Sequence, residues 1–403
     1  MSKKTISILS AAIGAAILVS ACAVAVTPRE TIQAPKAPVV EANNIGENED
    51  SKVIVQRFIP TGYKLLETNK IINEKNIYEL DLDNDKTNEI VAFIKNDEKF
   101  EKGFIVLKKK DNNWTKVYEK ITEASSISMA EMVNVYNKDD NSLLVGFFIS
   151  SHAGSIYNAY TLKKGKVDEL QLGMYKRFEI LNTPGKDKDN RFAYAAWIDY
   201  MANIQVCSIL MFNGKNFFPA DGLYSDDYNK KVIKYYQDIM KKNESIDYGK
   251  AQFVWQQLIE AQIGARKYEE ALSSIIKVLD IKNSDNQILP VEEYEFNYLK
   301  GKALNGLGRY SKSEEVLNKA KDTVLNFLES KKDQYRTDEY NFKLSDIYLE
   351  LGINYAAQNR KTEAKEMLAK SLSIIEGLVN KNYLLEDKNI YLYPIEREIE
   401  KLK

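Results

Sequence analysis

The stretch Gly301-Lys-Ala-Leu-Asn-Gly-Leu-Gly-Arg-Tyr-Ser-Lys-Ser-Glu-Glu-Val-Leu-Asn-Lys-Ala320 decides how the C-terminal part of this chain is read. Its small and apolar positions, Gly301, Leu304, Gly308, Tyr310, Ser313, Leu317 and Ala320, belong to a constellation that recurs on both sides. An earlier copy carries Trp255, Leu258, Tyr268, Ala271 and Ile275, and a later one Tyr348, Leu351, Gly352, Tyr355, Ala364 and Leu368. Each copy sets a small residue, Ala271, Ser313 or Ala364, among large apolar ones. The helical period begins at Asp226, where Tyr228, Val232, Tyr235, Tyr236 and Ile239 fall three and four apart, and it continues nearly to the end.

This constellation resembles the tetratricopeptide repeat, a pair of antiparallel helices stacked into a solenoid. The copies are spaced more widely than in that family: Ala271 to Ser313 is 42 positions and Ser313 to Ala364 is 51, against a usual period of about 34. Longer helices and the charged insert beginning at Ser330 are expected to absorb the difference. The resemblance implies a concave protein-binding groove lined by Phe253, Gln256, Glu260 and Ile263, then by Glu295, Tyr298, Lys302 and Asn305, then by Asp346, Leu349, Ile353 and Ala356. That surface lacks clustered Lys and Arg to clamp a terminal carboxylate, so an extended or helical protein segment offering apolar and polar contacts is the expected partner.

Residues 58 to about 220 read differently. Short β-rich runs alternate with turn signals in three units: Ile90–Ile94 and Phe104–Leu107, Leu143–Phe148 and Tyr157–Leu162, Phe192–Trp197 and Cys207–Phe212. Hairpin turns are expected at Asp111-Asn112, Lys164-Gly165 and Asn213-Gly214. The opening Phe58–Leu66 and the loop Asp81-Leu-Asp-Asn-Asp-Lys-Thr-Asn-Glu89 resemble FG-GAP/VCBS-type repeats, which form β-propeller blades. Three units are too few to close an ordinary propeller, so a partial propeller or a sandwich is expected. The resemblance implies a structural Ca²⁺ held by Asp81, Asp83, Asp85, the Thr87 carbonyl and Glu89, although Asn84 and Lys86 stand where the family has glycines. An Asx-turn, whose side chains cap their own backbone, is the alternative.

At the N-terminus, Lys3 and Lys4 precede an apolar run from Ile6 to Val19 that reads as a targeting signal. The run is short for a membrane span, and its end at Val19-Ser-Ala-Cys22 resembles the bacterial lipoprotein processing site. The resemblance implies that the Cys22 thiol carries diacylglycerol and anchors the chain outside the cytoplasm, two acyl chains being enough for stable attachment. Residues 23–52, with Pro28, Pro35 and Pro38 and few large apolar residues, read as a flexible tether. The domain plan is therefore signal and lipidated cysteine over 1–22, tether over 23–52, β-repeat domain over 53–225 and helical domain over 226–403.

Chemistry is sparse. The 57 basic and 58 acidic residues give a net charge of -1, which leaves no electrostatic footprint for nucleic acid. One histidine, His152, and two cysteines cannot build a His- or Cys-rich metal site. Ser150 and Ser151 beside His152 lack a nucleophile elbow, and no P-loop, dinucleotide fingerprint or HExxH motif is present. The expected function is a non-catalytic surface lipoprotein that scaffolds a protein partner through the helical array. The alternative is carbohydrate or ligand recognition by the β-repeat domain, supported by aromatics such as Trp114 and Trp197. Exposed aromatics on one rim would favour that alternative, and buried ones the array.

Overall fold

The computed structural model describes residues 50–67, 75–136, 140–181, 192–201, 204–220, 223–242, 248–284, 293–330, 336–384 and 388–403. The signal segment with Cys22, residues 23–49 of the tether, and residues 331–335 of the charged insert lie outside them. The expected fold class is the one observed, antiparallel β-sheets followed by helices. The described residues fall into two compact units, one comprising residues up to 198 with 212–215, the other 199–211 with 216–403.

The first unit opens with a short helix, α1 (Ser51–Gln56), which Asp50 caps by accepting from the Lys52 amide at 3.0 Å. The tether therefore ends before Ser51, two residues earlier than its composition indicates, and the unit is not purely β. Ile54 and Val55 form the apolar side of α1 and are buried against Ile90, Ala92 and Ile94, which outweighs the weak intrinsic stability of a single helical turn or two.

The strands follow as meanders. The first sheet runs β1 (Lys64–Leu65), β3 (Glu89–Asn96), β4 (Glu101–Lys110) and β5 (Asn113–Glu123), with β2 (Ile77–Leu80) also pairing with β3. The second runs β6 (Ser126–Val133), β7 (Ser142–Ser150), β8 (Gly154–Lys163) and β9 (Lys166–Tyr175). The third runs β10 (Arg177–Ile180), β11 (Phe192–Met201), β12 (Ile204–Phe212) and β13 (Phe217–Pro219). Apolar runs such as Ile90–Ile94 are buried on both faces, as continuous rather than alternating patterns require. Asp111 and Asn112 (φ 49° and 63°) and Lys164 and Gly165 (φ 50° and 76°) turn the hairpins where expected, both residues adopting the left-handed geometry that matches strand twist.

Sheets stack in chain order. Phe93 and Phe104 of the first meet Leu143, Val145 and Tyr160 of the second in one core, and the Phe104 and Tyr160 rings meet edge-on at 4.9 Å. Tyr157 of the second sheet then stacks on Phe178 at 4.4 Å, and Phe178 on Tyr194 at 4.8 Å.

In the second unit the helices are α2 (Leu223–Lys242), α3 (Tyr248–Gly264), α4 (Tyr268–Ser284), α5 (Glu293–Gly306), α6 (Tyr310–Ser330), α7 (Thr337–Ala357), α8 (Lys361–Asn380) and α9 (Asn389–Glu400). Each packs on its neighbours in sequence, and α3 also meets α5 while α5 meets α7. Pairs α3/α4, α5/α6 and α7/α8 share one turn geometry. Arg266, Gly308 and Asn359 take left-handed φ of 57°, 70° and 61°. The next amide then reaches back to the carbonyl of Gln262, Leu304 or Tyr355 at 2.8–2.9 Å, satisfying carbonyls that a helix end leaves open. Ala271, Ser313 and Ala364, five residues after each turn, are fully buried. A Cβ at Gly301 would lie 2.4 Å from Leu317, and one at Gly352 would lie 2.7 Å from Leu368, so glycine is what lets the paired helices approach.

Strand residues contribute to this unit as well. Tyr200 stacks on Phe253 at 4.0 Å, and the backbone of Gln205 bonds to the hydroxyls of Tyr235 and Tyr236 at 2.9 Å each. These contacts move the boundary of compactness to residue 198, ahead of residue 225 where the helical period takes over.

Candidate protein-binding groove

Helices α3, α5 and α7 present matching stripes. On α5, Glu295, Tyr298, Lys302 and Asn305 fall three, four and three apart, and on α7 the series is Glu339, Lys343, Asp346, Glu350 and Ile353. Glu260 of α3 faces the same space, since its charge acts on Tyr298, Lys343 and Asp346. Lys343 Nζ lies 3.4 Å from Glu295 and Lys302 Nζ lies 3.9 Å from Glu350. Lys302 also sits 5.3 Å from the centre of the Tyr298 ring.

A buried amide network fixes the far end. Asn305 Nδ2 donates to the Glu350 backbone oxygen at 3.1 Å and to its carboxylate at 3.3 Å. Asn354, fully buried, donates to Asn305 Oδ1 at 2.7 Å and to the Tyr310 carbonyl at 2.9 Å. Because buried polar groups are costly when unpaired, this chain of amides locks α5, α6 and α7 in register and holds the Glu350 carboxylate in place.

Among the described residues, carboxylates outnumber ammonium groups along the groove. Glu339 is paired with Arg336 at 2.7 and 2.8 Å, which leaves Glu260, Glu295, Asp346 and Glu350 facing Lys302 and Lys343. Burial pushes Asp346 up to about 6, with Lys343 and Lys302 only partly opposing. Burial likewise raises Glu350 against the pull of Lys302 and Asn305. Lys343 is pulled down by burial, but Glu295, Asp346 and Glu260 outweigh that and hold its ammonium above the ordinary lysine range. The Tyr298 hydroxyl is raised by burial and by Asp346, Glu350 and Glu260, so it stays a donor. Among the described residues Asp346 has no hydrogen bond or ion pair, and the Tyr298 hydroxyl has no hydrogen bond.

Not every expected residue lines the surface. Phe253 is 2% exposed beneath Tyr200 and cannot contact a partner; an aromatic from β11 covers it, which helical spacing on α3 could not indicate. Gln256, Ile263, Ile353 and Ala356 are half-buried, and Leu349 packs partly against the core of the later helices. Tyr200, Lys343 and Glu339 were not expected in the groove. Lys343 was within reach of the spacing argument, being three residues before Asp346, whereas Tyr200 carried no signal.

The acidic loop has a different character. Ligand atoms of Asp81, Asp83 and Glu89 lie within 4.8 Å of one another, and the Lys108 ammonium sits among the carboxylates, 2.7 Å from Asp83, 2.8 Å from Asp85 and 2.7 Å from Glu89. Asp81 accepts from the amides of Asp85 and Lys86, Asp85 from Thr87, and Glu89 from Leu82. Asn84 and Lys86 take left-handed φ of 58° and 69°, a conformation that glycine adopts most easily. The Lys108 hydrogen bond and the Thr87 amide hold Asp85 below the ordinary carboxylate range. Burial lifts fully buried Glu89 despite its bond to Lys108. One Asp83 oxygen is buried without a partner. A calcium ion and Lys108 would compete for the same oxygens.

His152 is exposed in the β7–β8 turn, and Ser150 Oγ accepts from the Ala153 amide at 3.0 Å. In the sheets, Trp197, Tyr194, Tyr160 and Tyr157 are buried and Trp114 is half-buried. No described helix is long and apolar enough to cross a membrane. No protein-family model matches the chain, and no curated protein matches it.

Proposed function

We propose that the chain is a non-catalytic surface lipoprotein, anchored through Cys22, whose tetratricopeptide-like array scaffolds a protein partner by gripping a segment that carries Lys or Arg among apolar residues. The observation that carries this reading is the groove of α3, α5 and α7, in which four carboxylates face two lysines and Asp346 has no hydrogen bond or ion pair among the described residues. A cationic side chain placed there meets an attraction strengthened by poor hydration. Leu349 and Ile353 offer apolar contact beside it. The burial of Trp197, Tyr194, Tyr160 and Tyr157, against an exposed Phe100, supports the array over the alternative of carbohydrate recognition by the β-repeat domain.

The test is a peptide array probed with the purified full-length chain in detergent. Retained peptides are expected to combine basic and apolar residues, and Glu260→Gln with Asp346→Asn should reduce retention at least tenfold. Retention of acidic peptides, or retention indifferent to those two substitutions, would sink the reading.

A further inference from the structure

The resemblance to FG-GAP/VCBS-type loops implies a calcium ion within Asp81–Glu89, and the oxygens there are already committed. The Lys108 ammonium spends one N–H on each of Asp83 Oδ2, Asp85 Oδ2 and Glu89 Oε1, at 2.7, 2.8 and 2.7 Å, which is its full complement of donors. The loop's own amides take the rest. Asp81 accepts from Asp85 and Lys86, Asp85 Oδ1 from Thr87, and Glu89 Oε2 from Leu82. Among the described residues Asp83 Oδ1 is the carboxylate oxygen of this set left without a donor. Calcium takes about six to eight oxygens, so it could bind only by breaking the contacts that Lys108 makes.

The strands fix Lys108 in that position. Ile90 pairs with Leu107 in the antiparallel ladder, and the same register carried one step further faces Glu89 with Lys108. Val91, Phe93, Phe104 and Val106 share that face by the alternation of a strand and are buried against the second sheet. The charged pair therefore closes the end of an apolar core, with the Glu89 side chain fully buried and that of Lys108 20% exposed. Because β4 delivers it, the ammonium pays none of the translational cost that an ion from solution pays. A divalent ion entering the same space would meet it as a like charge.

A further tie comes from the second sheet. Asn141, just ahead of β7, donates to the Asp81 carbonyl at 2.6 Å and to Asn84 Oδ1 at 2.9 Å. Hydrogen bonds thus fasten the loop to itself, to β4 and to the start of β7.

We infer that Lys108 is the resident cation of this loop: its ammonium stands in the place of the calcium ion that the resemblance implies, and it excludes that ion from the unmodified chain. The inference concerns the β-repeat domain alone and does not depend on the protein-binding groove.

The experiment is calorimetric titration of the full-length chain in detergent with calcium chloride, and with terbium as a luminescent probe, alongside Lys108→Met, Lys108→Gln and Lys108→Arg. The Met and Gln variants are expected to bind calcium with a dissociation constant of about 0.1–1 mM, the range of extracellular modules, and the unmodified chain at least tenfold more weakly. Lys108→Arg keeps a cation in place and should be as indifferent to calcium as the unmodified chain. EDTA should leave the melting temperature of the unmodified chain where it was and lower that of the calcium-loaded Met variant. Calcium binding by the unmodified chain at or below about 1 mM, or a melting temperature that falls in EDTA, overturns the inference. So does a Met or Gln variant that is folded by circular dichroism yet binds calcium no better than the unmodified chain. A variant that folds only when calcium is supplied supports it.

Discussion

Replacing Lys108 by methionine keeps the length of the side chain and removes the ammonium that, among the described residues, touches Asp83, Asp85 and Glu89. The cost follows from the burial of its partners. Glu89 is fully buried and the Asp83 side chain is 14% exposed, so both lose their counter-charge in a place that water reaches poorly. Asp85 is 45% exposed, and water screens its loss. Removing one member of a buried pair costs roughly 3–5 kcal/mol, and about 3 is expected here because part of the cluster is wet. Trp114 and Trp197 lie in the β unit, so urea unfolding in a Trp255→Phe background, read by tryptophan fluorescence, reports this unit alone.

Acidity and calcium give the signature. Glu89 already has a raised pKa in the fold, and the substitution raises it further. Its stabilising share is therefore present below the unfolded value, and is lost as the pH climbs through the folded one. The deficit of the variant should be large at pH 8 and shrink towards pH 4. Calcium at a hundred times its dissociation constant would restore about 2.7 kcal/mol, and it should stabilise the variant more than the unmodified chain. A variant within 1 kcal/mol of the parent at pH 8, or calcium binding more tightly to the parent than to the variant, would refute the reasoning.

Other substitutions test the helical unit and the anchor. Gly301→Ala places a Cβ 2.4 Å from fully buried Leu317, so overpacking should exceed the gain in helix propensity of about 1 kcal/mol and leave a net loss of roughly 1–2 kcal/mol in urea unfolding. Gly377→Ala on α8 meets nothing within 4 Å among the described residues and should instead stabilise by about 0.5–1 kcal/mol; the same sign for both would contradict the packing argument. Asp346, raised to about 6, should make binding of a basic peptide by anisotropy fall as the pH drops through 6. Its stability share is present below about pH 4 and lost through 6, so Asp346→Asn should stabilise the array at pH 7.5 by up to about 3 kcal/mol and little at pH 4. Cys22→Ser should abolish incorporation of labelled palmitate in a bacterial host, and retained label would remove the anchor from the proposal.

How far the chain could be read in advance depended on the range of the interaction. Helix pairs announce themselves through three-and-four spacing and through small residues such as Ala271, Ser313 and Ala364, because the partners are near in sequence and the geometry repeats. Hairpins at Asp111-Asn112 and Lys164-Gly165 are equally local. Lys108, by contrast, reaches the acidic loop from β4, 19 to 25 positions away, and no local pattern marks it as the loop's cation. The stacking of Tyr200 on Phe253 joins a strand to a helix, so a residue assigned to the groove by helical register is covered.

The amino-acid sequence by itself determined the order of strands and longer helices, the three strand units and the three helix pairs, since each follows from backbone geometry and the burial of apolar residues nearby in the chain. Only the tertiary structure decided which charges meet. The lysine among the carboxylates of the first loop and the carboxylate surplus around Asp346 arise where separate elements converge, and there dielectric and distance, rather than residue order, set the chemistry.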